Sequence, residues 1–412
     1  MTERQENRKK DNKYQNSYTI SKTKSYTIQE VTQMKKIIVF IVALALIFTM
    51  AACNGGGGEV EDTSRDTPAV EQKAAEPAEA TGFKIGISMP TKSLQRWNQD
   101  GDNMKNMLEA AGYEVDLQYA GDNEVPLQVT QLEDMISKGC NVLVIAAIDG
   151  SQLGSPLQQA KDAGISVIAY DRLIMNSDAV SYYATFDNTL VGEFQGQFIV
   201  DQLDPDNNEG PFNIELFTGD PGDNNINFFF GGAMARLQPY IDSGKLVVGS
   251  GQAEKAQVAT EGWNPEKSQA RMENLISSQG YSPSGTRLDA VMSNNDSIAQ
   301  GVANALLGAG YTADDFPVLT GQDCDIASMK NMMQGYQSMS IFKDTRTLAA
   351  RVVTMVDSIL KGTAPEVNDT ATYDNGTGII PSYLCEPVVC TLANYKELLI
   401  DSGYYTEDQI QP

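Results

Sequence analysis

A chain of 412 residues has room for about two lobes, and its 41% hydrophobic and 20% charged residues are those of a globular protein whose disorder is confined to short segments. Its net charge of −24 and pI near 4.3 repel phosphate backbones, which excludes nucleic acid as a partner of the folded part. The absence of histidine removes Ser-His-Asp and Cys-His catalysis, His-ligated zinc and the commonest general base near neutral pH, so an enzyme would have to work through carboxylates or lysine.

Residues 1–33 are polar and basic, with no apolar period to support a fold. From Met34 the text becomes MKKIIVFIVALALIFTMAAC, in which Lys35 and Lys36 precede an apolar run of about 14 residues, Ile37 to Met50. That run falls short of the roughly 20 needed to span a bilayer. Ala51-Ala52-Cys53 then reads as a small-residue cleavage site. Residues 1–52 are therefore expected to be an upstream extension followed by a lipoprotein signal peptide, with Met34 as the natural initiator and Cys53 as the lipidated mature amino terminus. Met50 stands where leucine is usual in such a motif. Residues 53–82, with four consecutive glycines and then Glu, Pro, Ala and Thr in loose order, cannot bury enough surface to offset their ordering entropy, and are expected to be a flexible tether.

Folded structure is expected from Phe83. Strand-like runs at Phe83–Met89, Glu114–Tyr119, Val142–Ile148, Ile165–Tyr170 and Val180–Phe186 alternate with helical patterns at Arg96–Ala111, Leu127–Lys138 and Gln152–Ala163. Alternation of this kind spells βαβ units and a parallel sheet with right-handed crossovers. Gly112, Gly139 and Gly164 follow the helices, where left-handed caps belong. A second series follows Asp187, with strands at Phe212–Phe217, Leu246–Gly249, Ala290–Ser293, Val318–Gly321 and Met339–Phe342. Its helices are expected at Leu190–Leu203, Ile226–Tyr240, Pro265–Ser278, Ser297–Leu307, Ile326–Met333 and Thr345–Leu360. The fold class is α/β, with two similar lobes, each a mainly parallel sheet flanked by helices, and the crevice between them is the default binding site.

Polar residues gather where these strands end. Arg96 and Trp97 follow the first strand, Asp171 and Arg172 the fourth, and TGDPGDNN, ending in Asn224 and Asn225, follows Phe217. Asn294, Asn295 and Asp296 follow Ser293, Gln322 and Asp323 follow Gly321, and Lys343 follows Phe342. Arg, Asp and Asn are planar, multidentate hydrogen-bonding groups that can grip adjacent hydroxyls, and Trp97 and Trp263 can offer apolar faces to a sugar ring. Each has a plainer structural reading: Asp171 and Arg172 as a strand cap, Asn295 and Asp296 as helix N-caps, Trp263 as packing under a loop, Lys343 as a solvated lysine. Their shared position at strand ends favours a site.

The motifs KIGISMP, QRW, IAYDR, GDPGDNN, GWNPE, SNND, GQD and FKDTR, in this order over residues 83–412, resemble the sugar-binding proteins of bacterial ABC importers, specifically the xylose and multiple-monosaccharide receptors. The resemblance implies a type I periplasmic-binding fold with three crossings between lobes, near Phe186, Phe342 and Pro381. The implied amino-terminal lobe is 83–186 with 342–381, and the carboxy-terminal lobe 187–341 with 382–412. It also implies a monosaccharide contacted by Arg96, Trp97, Asp171, Arg172, Asn225, Trp263, Asn295, Asp323 and Lys343, with no cofactor and no catalytic residue. The implied partners are the ABC permease membrane subunits and, through a lipid anchor, the membrane, with the chain acting as a monomer outside the cytoplasm.

Some relatives hold calcium before the GDPG-like strand. Here Asp204, Asp206 and Asn208 have alternate spacing, but Glu209 stands where such a loop wants glycine, and an acidic turn is expected. Alternative functions are a sugar sensor read through the same closed form, and a glycosidase using two of Asp171, Asp296 and Asp323. A transcription regulator on the same core would need an amino-terminal helix-turn-helix and a basic surface, which this chain does not offer.

No pair among Cys53, Cys140, Cys324, Cys385 and Cys390 has CxxC spacing, which excludes zinc ribbons and thioredoxin-like motifs. Cys140 and Cys324 read as buried apolar thiols. Cys385 and Cys390 could approach across a turn, but their spacing alone does not establish a disulfide.

Overall fold

The computed structural model describes residues 82–412; the expected signal peptide, Cys53 and all of the expected tether but Gly82 lie outside the described residues. The first lobe is built on β1 (Lys84–Met89), α1 (Gln95–Ala110), β2 (Glu114–Tyr119), α2 (Val125–Ser137), β3 (Val142–Ile145), α3 (Gly154–Asp162), β4 (Ser166–Tyr170) and β5 (Val180–Phe186). Gly112, Gly139 and Gly164 have φ of 87°, 78° and 70°, the left-handed turn that ends a helix most cheaply without a Cβ. The buried side chains Ile85, Ile87, Val144, Ile168 and Phe186 fill one face of the sheet, and Leu143, Ile145, Val167 and Tyr183 the other. Burial on both faces is why these strands read as nearly continuous apolar runs.

The second lobe comprises α4 (Asn188–Leu203), β6 (Phe212–Phe217), α5 (Asn225–Asp242), β7 (Leu246–Val248), α6 (Pro265–Gln279), β8 (Ala290–Ser293), α7 (Asp296–Gly308), β9 (Val318–Leu319) and α8 (Ile326–Met333). Its parallel sheet has the order β7-β6-β8-β9. Gly192 and Gly196 on α4 face the backbone of α5 so closely that a Cβ on either would overlap it. This contact fixes α5, and with it Phe229 and Asn225.

Strand β10 (Ser340–Phe342) then leads into α9 (Thr345–Leu360), which packs Leu348, Val352 and Met355 back onto the first lobe. Four elements beyond α9 were not legible as strands or helices: β11 (Ser382–Cys385), β12 (Val388–Cys390), a π-helical segment (Lys396–Asp401) and α10 (Glu407–Ile410). The assignment of 382–412 to the second lobe needs correction. Strand β11 pairs in parallel with β5, from Ser382 opposite Tyr183 to Cys385 opposite Phe186, and gives the first sheet the order β11-β5-β4-β3-β1-β2. Without it the buried edge of β5 would carry unpaired backbone groups. The third passage between lobes therefore falls between Cys385 and Val388, where β12 pairs antiparallel with β10, rather than near Pro381. Cys385 and Cys390 are thus divided between two sheets, and both are free thiols. No helix among the described residues is long and apolar enough to cross a membrane.

Candidate functional site

A narrow cavity, with about 30 Å³ of free space, lies between the lobes at the carboxyl ends of both sheets. This is where open α/β sheets bind ligands. Eight of the nine residues expected to contact a sugar line it: Arg96, Trp97, Asp171, Arg172, Trp263, Asn295, Asp323 and Lys343.

Arg96 lies in the first turn of α1 and is 7% exposed. Its Nη2 donates to Asp171 Oδ2 at 2.5 Å, its Nε to Asp100 Oδ2 at 3.0 Å, and its Nη1 to Asp323 Oδ1 of the other lobe at 3.3 Å. Burial opposes the guanidinium charge, yet Asp171, Asp100 and Asp323 outweigh it and raise its pKa well above the ordinary value. For Asp171 burial is likewise outweighed, here by Arg96, Lys343 and Arg172, and its carboxyl is held below the usual range. Lys343, 1% exposed, completes the cluster with Nζ 3.3 Å from Asp323 Oδ1 and 3.7 Å from Asp171 Oδ2.

Arg172 donates Nη1 to the carbonyls of Ala147 and Ile148 at 3.0 and 3.3 Å, just beyond β3, which stops at Ile145 instead of running to Ile148. Its Nε stands 3.0 Å from Asp223 Oδ2 across the crevice, and its guanidinium carbon lies 4.9 Å from the centroid of the Trp97 ring. Trp263 packs edge-on to Phe229, 6.2 Å between centroids at 78°. Its indole Nε1 is buried without a partner, as are Gln322 Oε1 and Asp325 Oδ1 on the same cavity. Buried polar groups left unpaired are costly, and these three belong to residues that line one cavity.

Three lining residues hold left-handed backbone conformations: Asp171 (φ 58°), Trp263 (φ 54°) and Asp323 (φ 99°). Each costs about 1–3 kcal/mol and persists only where the surroundings impose it. At Asp171 the imposing groups are visible, since its carbonyl accepts hydrogen bonds from Tyr183 Oη (2.6 Å), Asn225 Nδ2 (2.8 Å) and Thr185 Oγ1 (3.0 Å).

Asn225 is the one expected contact residue that stands behind the wall. Besides Asp171 its side chain meets Tyr183 Oη at 3.0 Å and Asn188 Nδ2 at 3.1 Å, so its polar atoms serve to position Asp171. Asn295 serves twice: Oδ1 caps α7 by accepting from Ile298 N at 3.0 Å, while the residue also lines the cavity. Asp296 is turned away from the cavity and accepts from Ser340 Oγ, Gln337 Nε2 and Asp325 N, each at 2.9 Å.

Sequence reasoning missed Asp223, Phe229 and Asp325 as cavity-lining residues and named Gln322 only as a strand-end polar group. Asp223 had a signal, lying two residues before Asn225 in the same motif. Burial raises the Asp223 pKa although Arg172 opposes the shift. Burial and the neighbouring Asp323, with Arg96 opposing, push Asp325 up to about 7.

A family model described as a periplasmic binding protein domain matches residues 85–364. The chain is 52% identical over 329 residues to the multiple sugar-binding periplasmic receptor ChvE of Rhizobium radiobacter, covering 79% of this chain and 92% of that protein. It is 34% identical over 333 residues to the D-xylose-binding periplasmic protein of Escherichia coli strain K12, covering 81% and 94% respectively. The crystal structure of an ABC transporter solute-binding protein from Clostridium phytofermentans with bound β-D-glucose matches with a TM-score of 0.77 and 62% identity, over 80% of this chain and 100% of that one. With the family model spanning both lobes and these relatives matched along nearly their whole length, the chain belongs to the periplasmic binding protein family.

Proposed function

We propose that this protein is the substrate-binding lipoprotein of an ABC importer, capturing a monosaccharide aldose between its lobes and delivering it to the permease. The observation that carries the reading is the buried cluster of Arg96, Asp171, Arg172, Asp323 and Lys343, drawn from both lobes and flanked by Trp97, Trp263 and Phe229. Forked charged groups hydrogen-bond pairs of adjacent hydroxyls, while aromatic faces cover the ring's C–H side. The glucose-bound and xylose-binding relatives support an aldose.

The mechanism is hinge closure. A sugar that contacts both lobes has differential affinity for the closed form, and this is what shifts the population. The permease reads that form. Cys53 carries the anchor, and the tether lets the folded body work outside the cytoplasm at the membrane surface. A glycosidase reading is disfavoured because Asp296 is engaged by Ser340, Gln337 and the Asp325 amide, while Asp171 and Asp323 share the same cations, Arg96 and Lys343, so that no two of the three are set apart as general acid and nucleophile.

Calorimetric titration of the purified chain with D-glucose, D-xylose, D-galactose, L-arabinose and D-ribose tests the reading. Saturable binding of at least one with one site per chain is expected. Heat release from none of them overturns it.

A further inference from the structure

The crevice does not end at the sugar cavity. A second cavity of about 390 Å³ lies between the same lobes, and Leu94, Ser297 and Asp325 line both. The first lobe contributes Ser93 and Asn123 to this outer chamber, the second Asn264 and Gln300. These are hydroxyl and amide groups, the lining that suits a hydroxylated ring.

Two observations narrow the occupant. Asp325, 6% exposed, stands on the partition with Oδ1 buried and without a partner, an acceptor in need of a donor. The chamber also carries Asp122, Glu261 and Glu266, and its one cation, Lys267, is already paired with Glu261. Such a field repels anions and desolvates poorly against an apolar group. A neutral donor-rich group joined to the inner ring satisfies both conditions.

We propose that the crevice accepts a two-ring glycoside, with one aldose ring in the inner cavity and a second neutral sugar ring in the outer chamber, its linkage passing Leu94, Ser297 and Asp325. This rests on the aldose-binding reading above and extends its substrate class from monosaccharides to neutral disaccharides.

The test is calorimetric titration of the purified chain with D-glucose, cellobiose, maltose and gentiobiose, and with D-xylose and xylobiose, on the native protein and on Gln300→Trp. Gln300 lines only the outer chamber, so the indole should fill it and leave the inner cavity intact. At least one disaccharide is expected to bind within about tenfold of its monosaccharide, and Gln300→Trp to weaken it at least tenfold while changing the monosaccharide less than twofold. Glu266→Trp, on the neighbouring helix α6, provides the same test should Gln300→Trp not fold. Monosaccharide binding with every disaccharide more than a thousandfold weaker overturns the proposal alone, as does equal weakening of both ligands by the chamber-filling change. Absence of binding by the monosaccharides as well overturns the aldose reading beneath it.

Discussion

Arg96 Nη1 and Asp323 Oδ1 meet at 3.3 Å although the two residues belong to different lobes. Arg96 is otherwise held within its own lobe by Asp100 and Asp171, so it is a fixed arm reaching across the crevice rather than a flexible side chain. Lys343, which follows the second passage between lobes, touches the same oxygen of Asp323. A ligand that joins this cluster is thereby joined to both lobes at once.

The Arg172 contact with Asp223 is a second bridge of the same kind. Arg172→Ala is expected to leave the far-ultraviolet circular dichroism unchanged while weakening aldose binding about a hundredfold, which corresponds to about 3 kcal/mol for the loss of charged hydrogen bonds. Removing one partner of a buried pair also leaves the other uncompensated. Arg172→Ala combined with Asp223→Ala should therefore melt at a higher temperature than Arg172→Ala alone, a double-mutant comparison that unchanged or additive losses would refute.

A Cβ at Gly219 would overlap the indole of Trp263. Gly219→Ala must displace that ring, an overpacking that costs about 1–3 kcal/mol. Aldose affinity should drop at least tenfold as the aromatic wall moves, measured by calorimetry beside a thermal melt showing that the chain still folds cooperatively.

Burial outweighs the opposing charge of Arg96 and pushes Asp100 up to about 6 and Asp325 up to about 7, and it raises Asp296 as well. Between the ordinary carboxylate range and these values the folded chain holds protons that the unfolded chain has released. Stability must then fall as pH rises from about 4 to about 7, by about 1.4 kcal/mol per unit for each group still protonated only when folded. Asp171, whose pKa is lowered, acts in the opposite sense but below this window. The melting temperature of the sugar-free chain should be higher at pH 5 than at pH 8, and Asp325→Asn should flatten the difference.

Cys53→Ser removes the proposed site of lipidation. The variant is expected in the soluble extracytoplasmic fraction, unlabelled by a radioactive fatty acid, whereas the native chain should be labelled and sediment with membranes. Equal fractionation of the two would rule out Cys53 as the anchor.

Much of the site was legible because its residues sit at strand ends, and strand ends are written as abrupt changes of polarity. In ISVIAYDR the apolar run stops at Tyr170, and the structure places Asp171 and Arg172 on the cavity wall. What was not legible depends on partners distant in sequence. Strands β11 and β12 span four and three residues, too few to show a period, and exist because β5 and β10 offer edges to pair with. The displacement of Asn225 behind the wall follows from Tyr183 and Asn188 competing for its amide. The left-handed backbone at Trp263 occurs at a residue type that rarely adopts it, and at Asp171 and Asp323 at a type that adopts it more often than most yet usually lies elsewhere, so residue type alone does not announce it.

The chain contains two tryptophans, Trp97 and Trp263, and both line the cavity from opposite lobes. Fluorescence excited selectively at tryptophan, rather than at the 17 tyrosines, therefore reports on this crevice. Titration with D-glucose and the four other aldoses is predicted to give a saturable change in emission for at least one, with a dissociation constant in the micromolar range or tighter, moved to higher concentration by Arg172→Ala. Emission that stays constant for every aldose up to millimolar concentration would contradict sugar capture between the lobes.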